Sequence, residues 1–206
     1  MQGIIRFFVQ GGPLMYAILL ALLAGLAVII DRMMVIRIKN RIDAETFVTQ
    51  IVQFLKSGAV DRALEFCSQS EAALPRIVRA GLLEINRSDK EIQSAMELAA
   101  MVEIPKLERR THYLAMLANV STLLGLLGTI LGLISAFAAV AHADAADKAS
   151  LLTAGISVAM NTTAFGIISA LPCLVGYTFL MEKTNELIDE INENVARLFR
   201  YMTSAR

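Results

Sequence analysis

The sequence predicts an all-α polytopic membrane protein with three transmembrane helices and a small helical cytoplasmic domain. The first observation is that three long stretches, 7–30, 113–141 and 149–181, contain no Asp, Glu, Lys, Arg or His. Each exceeds the roughly 20 apolar residues that a helix needs to cross a bilayer. The second observation is that the charged residues concentrate between the first two stretches and after the third. We therefore expect helices 2 and 3 to extend beyond the membrane into the cytoplasm.

The lysines and arginines predict which side of the membrane each segment faces. Of the 19 basic residues, all but Arg6 and Lys148 lie in the segment 31–112 or after Met181. Cytoplasmic loops carry the excess of basic residues, so this segment and the tail are predicted to be cytoplasmic, and the amino terminus and the 142–148 loop periplasmic. The net charge is zero, which gives no electrostatic reason to expect nucleic acid as a partner.

Helix-breaking residues and charges set the order of the segments. Gly11 and Gly12 precede Pro13, a residue favoured at the first helical position, and Asp31 ends the first apolar stretch. The predicted order is a short periplasmic or interfacial segment 1–12, transmembrane helix 1 at 13–30, the cytoplasmic helical domain 31–112, transmembrane helix 2 at 113–141, a periplasmic loop 142–148, transmembrane helix 3 at 149–181 and a cytoplasmic carboxy-terminal helix 182–206.

The segment between the first two spans has the periodicity of helices. Apolar residues at helical spacing predict short amphipathic helices over 42–85, which pack as a small domain. Ser88 and Glu91 have the spacing of a capping box, so a longer helix is expected to begin there. It runs through Arg110 into the second span, bent or interrupted at Pro105.

Small residues recur at intervals of three and four along the second and third spans. Lipid gives helices no hydrophobic drive to associate, and such a stripe lets two backbones approach closely. We interpret the stripes as helix-packing surfaces within the subunit and between copies of it, with contact to a ligand as the alternative. Their glycines are Gly125, Gly128 and Gly132 in the second span, and Gly155 and Gly166 in the third.

Five uncharged polar side chains lie at mid-depth in the same spans, namely Thr122, Thr129, Asn161, Thr162 and Thr163. A threonine in a membrane helix can bond to a carbonyl three or four residues back, so plain packing is the alternative to a pore-lining role. Asn161 is costly to expose to lipid, and we expect the cluster of Asn161, Thr162 and Thr163 to face protein or water. None of the five holds a mobile charge near neutral pH. If ions cross here, a partner must supply the titrating group.

Pro172 interrupts the hydrogen-bond pattern of the third span. Its ring removes a backbone donor and leaves the carbonyl of Ile168 without its usual helical partner. The two interpretations are a kink, which we favour, and a carbonyl acceptor exposed to the protein interior.

The residues do not indicate catalysis. His112 and His142 have no Cys, His or carboxylate at metal spacing, and the sequence has no phosphate-binding glycine loop or nucleophile turn. Cys67 falls in the cytoplasmic segment and Cys173 in the third span, so both are expected to serve as small apolar side chains. The sequence therefore predicts a protein that is not an enzyme and holds no metal or cofactor.

Four runs of residues cover the three spans and the charged helix that enters the second. They are GGPLMYAILLALLAGLAVIIDR (11–32), MVEIPKLERR (101–110), LLGLLGTILGLISAF (123–137) and TTAFGIISALPCLVGY (162–177). Together they resemble the ExbB, TolQ and MotA proton-channel family, most closely its ExbB/TolQ branch. The resemblance implies the bacterial inner membrane and a pentamer around two copies of a single-span ExbD/TolR-like partner, whose membrane Asp takes and releases protons. It also assigns the family's pore threonines to Thr129 and Thr163.

Three positions depart from the family pattern. Thr122 replaces the family proline before LLGLLGT, and Thr178 replaces the asparagine after the tyrosine. Val158 lies five positions before Thr163, where the ExbB/TolQ branch has an acidic residue. Without that carboxylate the spans hold no acid of their own, so every protonation event must fall on the partner.

The favoured hypothesis is an ion-conducting stator subunit driven by the proton motive force. It would energise the single-span partner for TonB-type transport or Tol-Pal-type envelope work, with a TonB- or TolA-like protein as a further partner and lipids around the ring. The expected coupling ion is H⁺, with Na⁺ as the alternative. The other hypotheses are a non-conducting oligomeric membrane scaffold and a component of an export machine.

Overall fold

The computed structural model describes residues 8, 11–36 and 42–204. These residues form seven helices and no strand, which confirms the predicted all-α class. The helices are α1 (Pro13–Met34), α2 (Ala44–Lys56), α3 (Val60–Ser68), α4 (Ala73–Leu83), α5 (Asp89–Glu108), α6 (His112–Ala141) and α7 (Lys148–Ser204).

Three helical stretches among the described residues are long and apolar enough to cross a membrane. They are α1, the stretch Asp89–Ala141 that contains α5 and α6, and α7. The last has 57 residues, or about 85 Å at 1.5 Å per residue, whereas the hydrocarbon core is about 30 Å thick. The prediction of three membrane helices, with the second and third extending beyond the bilayer, is confirmed.

The chain divides into two compact units. We call the first, Met1–Ile30 with Arg110–Phe179, the membrane unit. We call the second, Asp31–Arg109 with Leu180–Arg206, the helical-domain unit.

The helical-domain unit has its own apolar core. Helices α2 to α5 and the carboxy-terminal end of α7 contribute to it, with Ile77 and Leu198 fully buried. Phe47 and Phe66 stack with their ring centroids 5.6 Å apart. The predicted small helical domain is thus confirmed. Its core also includes the carboxy-terminal end of α7, which the sequence pattern over 42–85 did not indicate.

Helix α5 begins where the capping pattern predicts. The Glu91 carboxylate accepts hydrogen bonds from the Ser88 hydroxyl at 2.7 Å and from the Ser88 backbone N–H at 3.0 Å. These bonds stabilise the ionised carboxylate and hold the pKa of Glu91 below its usual range.

The interruption predicted at Pro105 lies further along the chain. Helix α5 continues through Pro105 to Glu108, since one missing donor does not end a helix. Arg110 has φ 71°, and a left-handed residue cannot continue a right-handed helix. Helix α6 therefore starts anew at His112.

Some predicted features lie outside the described residues. The predicted segment 1–12 is described only at Phe8, Gly11 and Gly12, and the basic run over 37–41 is not described. The assignment of sides to the membrane therefore stays a prediction from the sequence.

Cys67 provides a direct check on the helical-domain core. The side chain is 1% exposed, and its burial raises the pKa of the thiol to about 12. The thiolate is the form of cysteine that reacts with alkylating reagents, and an ordinary cysteine thiol has a pKa of about 8.5. We expect native Cys67 in a Cys173→Ser variant to resist iodoacetamide at about pH 7 and at about pH 9 alike, and to react once the protein is denatured. If labelling of the native protein, measured by mass spectrometry, increases between about pH 7 and about pH 9, Cys67 is not buried as the structure has it.

Candidate functional site

Helices α6 and α7 pack as an antiparallel pair whose backbones meet at glycines. A Cβ atom placed on Gly166 would lie 2.8 Å from the Gly125 Cα atom. A Cβ on Gly132 would lie 3.0 Å from the Ala159 Cβ atom, so residue numbers fall on one helix as they rise on the other. The other two predicted glycines lie on the same contact, Gly128 against the Thr162 side chain and Gly155 against Ala136.

Helix α1 runs beside α7 in the same direction. Gly25 packs against Cys173, and a Cβ on Gly176 would lie 2.6 Å from the Ile29 Cδ1 atom, so the two contacts advance together along both helices. Pro172 lies within the continuous helix α7 with its side chain exposed, while the adjacent Cys173 points into the packing. In a chain with three spans, the first and third spans cross the membrane in the same direction. The parallel packing of α1 and α7 fits that arrangement.

The Thr163 side chain joins α6 and α7 at the glycine contact. Its hydroxyl donates a hydrogen bond to the Gly125 carbonyl oxygen at 2.9 Å. Gly125 lies four residues before Thr129, so the same carbonyl is the helical acceptor for the Thr129 backbone N–H. The Thr163 hydroxyl therefore reaches the α6 backbone one helical turn before Thr129, whose own link to this carbonyl is its backbone N–H alone. The sequence placed each threonine beside a small-residue stripe but contained no signal for the register between the helices.

The Thr129 hydroxyl bonds within its own helix. It donates to the Leu126 carbonyl oxygen at 2.6 Å, and the side chain is half-buried. A hydroxyl that donates one hydrogen bond keeps lone pairs that can accept another. The Thr129 oxygen can thus accept a hydrogen bond from water or from a protonated carboxylic acid, while its hydroxyl keeps its present bond to Leu126.

Thr162 is more deeply buried than its neighbours. It is 1% exposed, and its hydroxyl oxygen lies 3.0 Å from the Val158 carbonyl oxygen and 3.2 Å from the Gly11 carbonyl oxygen. The single hydroxyl proton is shared between these acceptors, which ties the start of α1 to α7. Asn161 and Thr163 are half-buried.

A groove of about 520 Å³ lies between the start of α1 and the facing sides of α6 and α7. Val158 and Thr162 both line it. The position where the ExbB/TolQ branch has an acidic residue therefore faces an open, mostly apolar space in this chain. Sequence reasoning missed the groove, although the small residues that form its floor were visible as a stripe. They are Gly128, Gly132, Ala136, Ala139 and Gly155.

The site offers oxygen atoms that can hydrogen-bond but no charge. Hydroxyls and carbonyls at Thr129, Thr163 and Gly125 can solvate an acid or a water chain, whereas none can carry a proton across the span as a stable ion near neutral pH. Among the residues that the structure describes, no cluster of three His, Cys, Asp or Glu side chains could hold a metal ion.

Comparisons with known proteins point to one family. Residues 69–193, more than half of the chain, match the model of the MotA/TolQ/ExbB proton channel family. The chain is 25% identical over 189 residues, 91% of its length, to a biopolymer transport protein ExbB homologue of Methanothermobacter thermautotrophicus. It is 37% identical over 98 residues, 48% of its length, to the Tol-Pal system protein TolQ of Haemophilus influenzae. These matches span 66% and 42% of the two relatives' own lengths.

The fold is similar to that of a solved structure of C. jejuni MotAB. The TM-score is 0.52 at 16% sequence identity, over 92% of this chain and 83% of that one. At this identity the likeness establishes a shared fold.

Proposed function

We propose, from the premise that this chain belongs to the MotA/TolQ/ExbB proton channel family, that it is the ring-forming subunit of an ion-driven stator. Five copies would surround two copies of a single-span ExbD/TolR-like partner in the bacterial inner membrane, with the amino terminus in the periplasm and the tail in the cytoplasm. The motion of the partner would be passed to a TonB- or TolA-like protein. The proposal is supported by the hydrogen bond from the Thr163 hydroxyl to the Gly125 carbonyl, one helical turn from Thr129, within spans that hold no ionised side chain.

The energies involved are of similar size. One charge that moves through 100 mV of membrane potential releases about 2.3 kcal/mol. An ionised Asp at a helix centre costs about 2.5–3.5 kcal/mol on insertion scales. A partner carboxylate would therefore be ionised only where water and the Thr129 and Thr163 hydroxyls solvate it, and each hydroxyl would have to turn from its present carbonyl acceptor to donate to the carboxylate. The carboxylate would cross the apolar surface between subunits in its protonated form. Alternation between these two conditions would turn the partner within the ring.

Val158 supports the assignment of all proton uptake to the partner. It lines the groove beside Thr162 and offers no titrating atom where the ExbB/TolQ branch has an acid. The proposed coupling ion is H⁺, because a partner carboxylate suffices to accept and release a proton. Na⁺ is the alternative, since Val158 in place of the acid also fits a subfamily with another coupling ion.

One observation favours a second candidate, a non-conducting oligomeric scaffold. Both threonine hydroxyls already donate to protein carbonyls, Thr163 to Gly125 and Thr129 to Leu126. In a scaffold these bonds and the glycine contacts would serve packing alone.

Copurification from native membranes separates the two candidates. We expect a mild-detergent extract of the tagged full chain to contain a small single-pass protein with an Asp inside its span. An oligomer that contains this chain alone, under conditions that preserve membrane complexes, would favour the scaffold and overturn the stator.

A further inference from the structure

Two serine hydroxyls in the membrane unit are buried without a hydrogen-bond partner in the described part of the chain. Ser121 on α6 and Ser169 on α7 are both 0% exposed, and the Oγ atom of each is unpartnered. A buried polar group without a hydrogen bond is costly, and proteins satisfy nearly all such groups with protein atoms or water.

The glycine contact bounds this pair on one side. The Ser121 carbonyl oxygen lies 2.8 Å from the place of a Cβ on Gly166, which packs against Gly125. Ser121 precedes Gly125 by four residues, and Ser169 follows Gly166 by three. In an antiparallel helix pair these offsets put both serines on the next turn of the same contact.

A second contact bounds the pair on the other side. Gly25 of α1 packs against Cys173, and the Leu117 Cδ1 atom lies 4.0 Å from the place of a Cβ on Gly25. Leu117 precedes Ser121 by four residues, and Cys173 follows Ser169 by four. The two serines therefore lie in a short interval between tight helix contacts, closed to lipid.

Five threonines in the same spans behave differently from this pair. The hydroxyl of each donates to a carbonyl of its own helix and so has no need of water. They are Thr122, Thr129, Thr153, Thr162 and Thr178. The two serines make neither this bond nor one to each other.

We propose that Ser121 and Ser169 hold a buried water molecule between α6 and α7. A buried water needs two to four polar partners, and two hydroxyls with the second lone pair of a helix carbonyl supply three. The water would satisfy both hydroxyls in an interval that is closed to lipid.

A thermal double-mutant cycle tests the water site without reference to transport. We expect Ser121→Ala and Ser169→Ala each to lower the apparent Tm in detergent, measured by circular dichroism, by roughly 2–4 °C. The double variant should lose less than the sum, because the second substitution removes a water contact already weakened by the first. Ser157→Ala, an exposed serine on α7, should leave Tm unchanged. If both single variants raise Tm additively, the hydroxyls are unpartnered and the water site is overturned.

Discussion

Replacement of Thr163 with valine is expected to abolish ion-driven coupling while the protein still folds and assembles. The substitution keeps the shape of the side chain but removes the hydroxyl that donates to the Gly125 carbonyl. A membrane interhelical hydrogen bond contributes about 0.6 kcal/mol to stability, so the expected loss of folded protein is small. In the proposed conducting state the Thr163 hydroxyl would turn from the Gly125 carbonyl to donate to the ionised partner carboxylate. A hydrogen bond to a charged group is worth about 1.5–3 kcal/mol, so the loss of this donor should slow flux by roughly ten- to a hundredfold. The measurement is proton flux of the reconstituted complex, together with growth that depends on the energised process.

Two variants in the same helix serve as controls for this prediction. Thr163→Ser keeps the hydroxyl and should retain most of the flux. Thr153→Val removes an exposed hydroxyl that bonds to Ala149 within its own helix, and it should have no effect. Thr129→Val is expected to act like Thr163→Val. If both Thr129→Val and Thr163→Val couple normally, the hydroxyls take no part in conduction.

A single methyl group at Gly166 is expected to disrupt the packing of the second span against the third. The new Cβ would lie 2.8 Å from both the Gly125 Cα atom and the Ser121 carbonyl oxygen. Both are backbone atoms that cannot rotate away, so α6 and α7 must move apart. Overpacking of this kind typically costs about 1–3 kcal/mol, and the cost is repeated in every subunit of a ring. We expect Gly166→Ala to lower Tm strongly and to reduce the yield of assembled complex on size-exclusion chromatography.

Gly176→Ala is the matched control for Gly166→Ala. Its Cβ would meet only the end of the Ile29 side chain, which can adopt another rotamer. The loss of Tm should be much smaller than for Gly166→Ala. Equal losses in the two variants would show that the backbone contact at Gly125 has no special role.

The sequence predicted the fold well where a strong physical signal was present. Charge-free stretches of more than 20 residues marked the three membrane helices, because no other arrangement satisfies so long an apolar run. The Ser88 and Glu91 pair marked the start of α5. A bend or interruption was expected at Pro105, with the helix running on through Arg110, because proline is a visible signal. The break lies at Arg110, whose left-handed conformation comes from a residue type that carries no such signal.

The sequence singled out residues of the candidate site but not their arrangement. Spacing put Thr129 and Thr163 beside the small-residue stripes, yet only the register of α6 against α7 brings the Thr163 hydroxyl to the Gly125 carbonyl. Thr162 was grouped with them in the sequence, and the structure buries its hydroxyl against Val158 and Gly11. The Gly11 contact joins residues 151 positions apart, and no local pattern encodes such a distance.

This subunit is proposed to solvate a proton carrier and to contribute no acid of its own within the membrane. Proton flux into liposomes tests it most directly, with the purified chain alone, with its single-span partner, and with a partner whose membrane Asp is changed to Asn. The account predicts flux only with the intact partner. Flux through the chain alone at the rate of the full complex would contradict it.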